Sequence, residues 1–327
     1  MATLLLTNSE DATSDYLENY LLKSGLSCIR YNTDKDLSQT SFTYTDHTPV
    51  MQWKDHNLKA TDVTALVFRR PKPFTQEIKA DEYQLRHIAE EWAETWEGFL
   101  AHIELKFWVN HPSRNFSASH KIEQLSRAER LGLRVPRSCV TTNPDEALRF
   151  IRGQTNGVIV KPLASGYIER DDSLNDTVIY TREFKEADYH FLDKIRYCPV
   201  LFQEKIAKVL DVRLTVLDGE SVAVGMKAFE NGVQRLDIRR HGMFDVEYSV
   251  IDIPIDVSQR VSSMMVGYGL RFAALDFAID NNGEWIFFEI NPNGQWAWLD
   301  IDAGAGIGDI FVSNLSRLSD RPDLRVR

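Results

Sequence analysis

The chain has 327 residues, of which 43% are hydrophobic, so it holds enough apolar material for a large core and for more than one domain. Its formal net charge of −10 disfavours general binding to nucleic acid or to an anionic membrane, although it leaves room for a local basic site. The cysteines are few and scattered, the N-terminus lacks a signal-peptide pattern, and no apolar stretch reaches membrane-spanning length. We therefore expect a cytoplasmic protein with no nucleic-acid partner and no membrane partner.

The N-terminal part of the chain alternates between strand and helix patterns. The apolar run TLLLT predicts a buried strand, and Ser9 or Asp11 is expected to cap a helix that runs to Leu21 and ends at Gly25. SFTYT and VMQWK have the pattern of a hairpin, and a single apolar stripe predicts a long helix from Asp81 to Ile103. With further strands in SCIRYN, TALVFRRP and KFWVNHP, this alternation predicts a parallel-sheet domain of about 115 residues.

The second half of the chain has a different pattern. A helix is predicted from Lys121 to Leu131, followed by a strand, a cap at Asn143 and a short helix. GVIVKPLASGY reads as a β-branched strand that leaves into a loop of small residues. Further strands flank two hairpin turns, one at Asp218-Gly219 and one at Asn281-Asn282-Gly283.

The last hairpin carries a set of oxygen ligands. Glu289 and Asn291 share one face of a strand because side chains two residues apart point the same way, and Asp276 on the partner strand is expected to share that face. Two carboxylates and an amide oxygen suit Mg²⁺. The alternative is a solvated strand face, which the apolar neighbours disfavour because a buried, unpaired carboxylate is costly.

Several cations are candidates to face these carboxylates. Lys161 ends a β-branched strand, where it either extends to solvent or meets a phosphate, and the small residues after it would let backbone N–H groups approach an anion. Arg213 lies between apolar strand residues. Arg239 and Arg240 are either a solvated pair or the source of one guanidinium that reaches a transferring phosphoryl group. Lys121, taken alone, reads as a surface lysine.

These pieces stand in an order that resembles the ATP-grasp superfamily. Within it the chain is similar to the microviridin-type (graspetide) macrocyclases, which are relatives of the RimK-like ligases. The resemblance covers nearly the whole chain and is most specific in SASHKIEQL, FQEKI, DVRLTV and EINPNGQWAWL. The residues after EINP and the FRRP strand end favour this branch over glutathione synthases and D-Ala-D-Ala ligases.

The resemblance implies an α/β (α+β) fold in three parts. Residues 1–117 would be an N-terminal parallel-sheet pre-ATP-grasp domain on the substrate side. Residues 118–200 would be a central α+β subdomain of the ATP-grasp fold. Residues 201–327 would be a C-terminal antiparallel-sheet subdomain with the metal site.

The resemblance also implies roles for residues on the nucleotide side. Lys121 and Lys161 would contact the phosphates of ATP. Gln203, Glu204 and Ile206 would form the hinge around adenine, partly through backbone groups.

Other implied roles concern the ribose and the reacting groups. Asp211 would hold the ribose hydroxyls, and Arg213 and Arg239 would steady the transferring phosphate. Arg69 and Arg70, at the end of an N-terminal strand, would orient the carboxylate of the substrate; a surface pair is the alternative.

The implied metal site and reaction complete this interpretation. Asp276, Glu289 and Asn291 would hold Mg²⁺. ATP would phosphorylate an Asp or Glu side chain in a ribosomally made precursor peptide, and Thr or Ser would then close an ester, or Lys an amide. A leader segment of the precursor would dock away from the chemistry, with residues 233–250 as a candidate surface. The resemblance also allows a homodimer.

Three alternatives remain, of which the first is another ligase and the other two come from different classes of function. The nearest is a RimK-like or glutathione-synthase-like ligase that joins a free amino acid to a peptide or a small acid. A peptide-recognition protein that binds nucleotide without catalysis is disfavoured because the full set of charged residues is present. A Rossmann oxidoreductase is disfavoured because no GxGxxG follows the first strand.

Overall fold

The computed structural model describes residues 2–72, 79–103, 107–164, 166–168, 177–239, 243 and 245–319. Arg240, which the sequence paired with Arg239, and Ser165 of the small-residue loop lie outside the described residues. No helix within the described ranges is long and apolar enough to cross a membrane.

The N-terminal region forms the expected parallel sheet. Its elements in chain order are β1 (Ala2–Thr7), α1 (Ala12–Lys23), β2 (Cys28–Asn32), β3 (Ser41–Thr45), β4 (Thr48–Trp53), β5 (His56–Lys59), β6 (Val63–Phe68), α2 (Glu82–Ala101), β7 (Phe107–Val109) and α3 (Pro112–Ser117). The sheet has the strand order β2-β1-β6-β7, and every neighbouring pair is parallel. The alternation read from the sequence is therefore confirmed.

Local sequence explains two features of this region. Asp81 caps α2 by accepting a hydrogen bond from the Gln84 backbone N–H (2.9 Å), and the Gln84 side-chain oxygen accepts a bond from the Asp81 backbone N–H (3.1 Å). The hairpin of β3 and β4 turns at Asp46 and His47, which have φ values of 49° and 62°, as a tight hairpin turn requires. β5 adds a third strand to this hairpin, which the sequence analysis did not predict.

The central region contains an antiparallel sheet that packs against an α-helix and a 3₁₀ segment. Its elements are α4 (Lys121–Arg130), β8 (Ser138–Thr141), α5 (Pro144–Arg152), β9 (Val158–Lys161), β10 (Tyr167–Ile168), β11 (Thr177–Val178), β12 (Arg182–Phe184), a 3₁₀ segment (Glu186–Tyr197) and β13 (Val200–Glu204). The strand order is β12-β9-β13-β8. Asn143 caps α5 through a bond from the Asp145 N–H (2.9 Å), with Pro144 in the first helical turn, as the sequence predicted.

The C-terminal region is a larger antiparallel sheet with helices. Its elements are β14 (Lys208–Leu217), β15 (Glu220–Lys227), β16 (Phe229–Glu230), β17 (Val233–Gln234), β18 (Glu247–Ile251), α6 (Ile255–Tyr268), β19 (Phe272–Asp280), β20 (Trp285–Asn291), α7 (Ala297–Ala303) and α8 (Ile307–Ser319). The main sheet has the order β18-β15-β14-β19-β20. Both predicted hairpin turns are present, with Gly219 and Gly283 in the left-handed region.

One face of the C-terminal sheet packs in a hydrophobic core, and the other face lines a cavity. Val212, Leu214 and Leu275 point into a core that α4 and α6 complete. The alternate residues of the same strands point the other way, because side-chain direction alternates along a strand. That opposite face carries Arg213 and Asp276, which line a cavity.

Candidate active site

A cavity of about 830 Å³ is formed between the central and C-terminal sheets. Twelve of the residues singled out from the sequence line it: Arg70, Lys121, Lys161, Gln203, Glu204, Ile206, Asp211, Arg213, Arg239, Asp276, Glu289 and Asn291. They come from distant parts of the chain, so their meeting in one cavity is a product of the fold. Arg69 does not line the cavity.

A row of three charged side chains crosses three adjacent strands on one cavity wall. Arg213 of β14 is paired with Asp276 of β19, which is paired with Glu289 of β20. The expected shared face of Asp276 and Glu289 is therefore present. Burial and the neighbouring Glu289 carboxylate raise the pKa of Asp276 to about 6, although Arg213 works in the opposite direction.

Two lysines approach the carboxylates from the opposite side. Lys121 Nζ lies 3.3 Å from Glu289 Oε2 and donates to the Pro162 carbonyl oxygen (3.1 Å). Burial opposes ionisation of Glu289, but the charges of Lys121 and Lys161 outweigh it and lower its pKa. Burial, together with the nearby Lys121 ammonium, lowers the pKa of Lys161 to about 8. The cavity thus holds concentrated charge of both signs.

Arg213 has donors that the protein leaves unused. Its Nη1 lies 3.0 Å from Asp276 Oδ1, but the two atoms are not in hydrogen-bond geometry. Its Nε and Nη1 are buried and have no hydrogen-bond partner. Because buried N–H groups nearly always have partners, these donors indicate a binding site for an anion in the cavity.

The oxygen atoms beside this row have the composition of a Mg²⁺ site. Two paired carboxylates supply negative charge, and the Asn291 amide oxygen, held by a bond from the Asn293 N–H (3.0 Å), supplies a third ligand. Within the described ranges, no three His, Cys, Asp or Glu side chains cluster as a metal site would require. A divalent ion would therefore take its other ligands from water and phosphate oxygens, as Mg²⁺ commonly does.

The far end of the cavity contains the residues expected around a nucleoside. Gln203 is buried, its Nε2 donates to Ser138 Oγ (2.9 Å), and its Oε1 has no hydrogen-bond partner. Glu204 is fixed by the Arg137 backbone N–H, which donates to its Oε1 (3.1 Å). The Gln203 side-chain oxygen is therefore the acceptor that a bound ligand could satisfy at this end of the cavity.

Asp211, the residue expected to bind the ribose, accepts hydrogen bonds from other side chains of the protein. Lys208 Nζ donates to both carboxylate oxygens of Asp211 (2.6 and 2.8 Å), and Gln234 Nε2 donates to Oδ2 (2.8 Å). The sequence analysis missed Lys208, which lines the cavity, and Gln234. A lysine three residues before an aspartate gave some signal for this pair, but the irregular register at the start of β14 that brings them together could not be read.

Arg239 also has a partner that the sequence analysis missed. Both oxygens of the buried Asp237 carboxylate accept from Arg239, at 2.9 and 2.7 Å. Asp237 is itself held by the Thr181 backbone N–H (3.1 Å). This arrangement ties Arg239 to the segment that enters the central sheet and directs it along the cavity wall.

The two N-terminal arginines lie in different environments. Arg69 is buried, and its guanidinium contacts Asp11, Gly294 and Gln295 rather than the cavity. Arg70 is exposed to the cavity, where its Nε donates to the Asn293 carbonyl oxygen (3.2 Å). Arg70 therefore lines the cavity and Arg69 does not, so the position of Arg69 does not support its expected contact with a substrate.

Residues 233–250, the candidate docking surface, are partly buried and partly exposed. Gln234, Arg235 and Asp237 are buried, and Leu236 and Ile238 line the cavity. The polar residues misled the sequence analysis because their partners, such as Asp211 for Gln234, lie elsewhere in the chain. The part from Leu236 to Arg239 lines the cavity, whereas Glu247 and Val250 of β18 are exposed, so the docking of a leader on this segment stays a prediction.

Comparisons with known proteins agree with this architecture. Residues 2–115 match the family model of the MvdD pre-ATP grasp domain. The RiPP-associated ATP-grasp ligase of Chryseobacterium gregarium, solved with ADP and a leader and core peptide, is 26% identical with a TM-score of 0.84, over 100% of this chain and 98% of that one. No curated protein matches the sequence.

Two further solved structures share the fold. Macrocyclase MdnC of Microcystis aeruginosa MRC, bound with precursor peptide MdnA, is 22% identical with a TM-score of 0.81, over 96% of this chain and 100% of that one. ATP-grasp ligase PsnB, complexed with minimal precursor, Mg and ADP, is 19% identical with a TM-score of 0.76, over 98% of each chain.

The fold and the charged cavity between two sheets define this chain as an ATP-grasp ligase. Within that class it is similar to the graspetide-type ligases, and its residues 2–115 match the MvdD pre-ATP grasp domain.

Proposed function

We propose that the protein uses ATP to activate Asp or Glu side chains of a ribosomally made precursor peptide and closes them into ester or amide macrocycles. The observation that carries the proposal is the row Arg213–Asp276–Glu289, faced by Lys121 and Lys161 across one cavity. Concentrated cations beside paired carboxylates suit the transfer of a phosphoryl group, which needs positioning and charge neutralisation more than a protein nucleophile.

In this proposal the nucleotide lies along the cavity. Gln203, Glu204 and Ile206 enclose the base, and Lys121 and Lys161 hold the phosphates. The Asp211–Lys208 pair lies between these groups and faces the ribose, with either Asp211 or Lys208 contacting its hydroxyls.

The groups around the transferred phosphate follow from the same geometry. Mg²⁺ bound by Asp276, Glu289 and Asn291 would neutralise charge on the terminal phosphates. Arg213 presents its Nε and Nη1 atoms, which have no hydrogen-bond partner, and Arg239 lines the same cavity. Both guanidiniums would stabilise charge on the transferred group.

The reaction then has two steps. An oxygen of the substrate carboxylate attacks the terminal phosphorus, the bond from that phosphorus to the ADP oxygen breaks, and an acyl phosphate and ADP result. A Thr or Ser hydroxyl, or a Lys amine, next attacks the acyl carbon. The carbon–oxygen bond to phosphate breaks, phosphate leaves, and the nucleophile loses its proton.

Support for a peptide substrate comes from two directions. The C. gregarium ligase was solved with a leader and core peptide, and MdnC with a precursor peptide. In this chain Arg70 provides a cation at the open, N-terminal side of the cavity, where a peptide carboxylate would enter. We place the reaction in the cytoplasm, where the three free thiols would stay reduced.

The test is a mass measurement on product. The protein, Mg-ATP and a short precursor encoded beside its gene are expected to give ADP and a peptide that loses one water mass per ring. A core in which Asp and Glu are replaced by Asn and Gln should remain unchanged. A peptide that gains the mass of an added amino acid would instead favour the free-amino-acid ligase, and no change in mass with any acidic core would contradict the proposal.

A pair of enzyme variants separates the site from the rest of the hairpin. Glu289→Gln removes charge from the metal site, and we expect it to lower kcat by at least about 100-fold. Glu284→Gln, at the exposed end of the same hairpin where Glu284 pairs with Arg134, should leave kcat unchanged. Normal turnover by Glu289→Gln would contradict the assignment of this site.

A further inference from the structure

The turn after the proposed metal-binding strand is held by hydrogen bonds from the N-terminal region. We call residues 292–295, which directly follow β20, the metal-side turn. Asn110 Nδ2 donates to the Pro292 carbonyl oxygen (3.2 Å), and Arg70 Nε donates to the Asn293 carbonyl oxygen (3.2 Å). The backbone of this turn is thus fixed by two side chains that are about 180 and 220 residues away in sequence.

The side chains of the turn are held in the same way. With its amide oriented to satisfy both neighbours, Asn293 donates to the Phe68 carbonyl oxygen (3.0 Å) and accepts from Asn115 Nδ2 (3.2 Å). Gly294 packs so tightly that a Cβ there would lie 2.4 Å from the Ala274 Cβ. The turn is therefore pressed between the N-terminal region and β19.

Arg69 makes the largest number of these hydrogen bonds. Its Nη1 donates to the Gly294 carbonyl oxygen (3.1 Å), its Nη2 to Gln295 Oε1 (2.9 Å) and its Nε to Asp11 Oδ2 (3.0 Å). Gln295 Nε2 closes the ring by donating to Asp11 Oδ1 (3.1 Å). The Arg69 and Asp11 side chains are 3% and 0% exposed, so water cannot take over these bonds.

We propose that Arg69 is a positioning residue for the magnesium site, which it fixes by holding the metal-side turn from the N-terminal domain. The inference rests on the proposed function, because it takes Asn291 as a metal ligand. Asn291 immediately precedes the turn, and its side-chain oxygen accepts from the Asn293 N–H inside it. A displaced turn would therefore misplace both the amide ligand and Gln295, which lines the cavity.

The geometry explains why this residue is arginine. A planar guanidinium donates in three directions at fixed angles, whereas a lysine ammonium is a single point charge on a flexible stem. Lysine could keep the ion pair with Asp11, but it could not also reach Gly294 and Gln295 with the same rigidity. Arg69→Lys therefore keeps the buried charge balanced and removes the hydrogen bonds to Gly294 and Gln295.

The test measures metal binding directly. Mn²⁺ is titrated into the full-length protein with ADP present, and free Mn²⁺ is followed by electron paramagnetic resonance. We expect the wild type to bind Mn²⁺ and Arg69→Lys to weaken that binding by about tenfold, as losses outside the ligand set commonly do. In turnover with precursor peptide, kcat should fall in parallel while the KM for ATP changes little.

Two further variants keep the test decisive. Asn115→Ala removes a more peripheral contact to Asn293 and should weaken Mn²⁺ binding by a smaller factor, about threefold, even if Arg69→Lys does not fold. Leu58→Ala is the stability control, because Leu58 is buried in the opposite core of the N-terminal domain. It should lower the melting temperature without changing Mn²⁺ affinity.

The outcomes separate the two proposals. If the wild type binds Mn²⁺ and both Arg69→Lys and Asn115→Ala bind it equally well, the positioning role is wrong while the site stands. An equal loss in Leu58→Ala and Arg69→Lys would also overturn it, because general destabilisation would then explain the effect. If the wild type itself fails to bind Mn²⁺ with ADP, the proposed function fails and the inference fails with it.

Discussion

Arg69 and Arg70 are neighbours in sequence but lie in different surroundings, because the chain has left β6 at this point and Arg70 takes a left-handed backbone conformation with a φ of 41°. Arg69 enters a buried network, whereas Arg70 reaches the cavity. The sequence could not predict this difference, since it depends on the backbone conformation at Arg70 and on how the end of β6 packs against the turn after β20.

Arg70 gives the first prediction at the scale of single residues. Arg70→Ala should raise the KM for precursor peptide by about tenfold, because a cation at the open side of the cavity is lost. The dissociation constant for ADP should stay unchanged, since the proposal gives Arg70 no contact with the nucleotide. Steady-state kinetics and calorimetry measure the two quantities. Weaker ADP binding with an unchanged peptide KM would place this residue wrongly.

Lys161 gives a prediction about pH. Its pKa is lowered to about 8, so the side chain is charged below pH 8 and neutral above it. A neutral lysine must take up a proton to pair with a phosphate, so ADP affinity should fall by up to about tenfold between pH 8 and pH 9. Calorimetric titrations at fixed salt measure this fall.

Lys161→Arg is the matched variant for the pH experiment. A guanidinium stays charged over the whole range, so the fall in ADP affinity above pH 8 should disappear. If the wild type shows no such fall, or the arginine variant shows the same one, Lys161 is not the titrating contact.

At the scale of elements, the hairpin of β19 and β20 depends on a β-bulge. Phe277 is paired with Phe287. If that register continued, Asp276 would lie opposite Phe288 and Glu289 would lie opposite Leu275. The bulge adds one residue and brings Glu289 opposite Asp276 instead. The hairpin itself was predictable from its turn and its alternation, but the extra residue was not, because no local pattern marks it.

Gly294 gives a prediction about the metal-side turn. An added Cβ would lie 2.4 Å from the Ala274 Cβ, so Gly294→Ala should push the turn away from β19. We expect kcat to fall by about tenfold or more, since displacement of about 1 Å is costly in an active site. The double variant Gly294→Ala with Ala274→Gly removes the clash and should recover most of the activity. Failure of this rescue would show that the contact is not the cause.

At the scale of the whole molecule, the N-terminal and C-terminal regions share one core. Leu5 and Val67 of the parallel sheet belong to the same buried cluster as Trp296 and Phe311. The sequence separates these regions by their different patterns of elements. It could not reveal their common core, because apolar periodicity shows which face is buried but not what covers it.

Phe311 tests this shared core. Phe311→Ala should destabilise the protein by about 3–5 kcal/mol, and hydrogen exchange in β1 and β6 should quicken accordingly. Ile195→Ala lies in the separate core of the central region and should leave exchange in β1 and β6 unchanged. Unaltered exchange in those strands after Phe311→Ala would indicate that the N-terminal sheet is stable without α8.

The most direct test of the central claim is calorimetric titration of ADP with and without Mg²⁺, for the wild type and for Asp276→Asn. If oxygens of β19 and β20 hold a divalent ion against the nucleotide phosphates, Mg²⁺ should tighten ADP binding to the wild type by at least about tenfold, and Asp276→Asn should abolish that gain. ADP binding that ignores Mg²⁺, or an equal gain in the variant, would contradict the account.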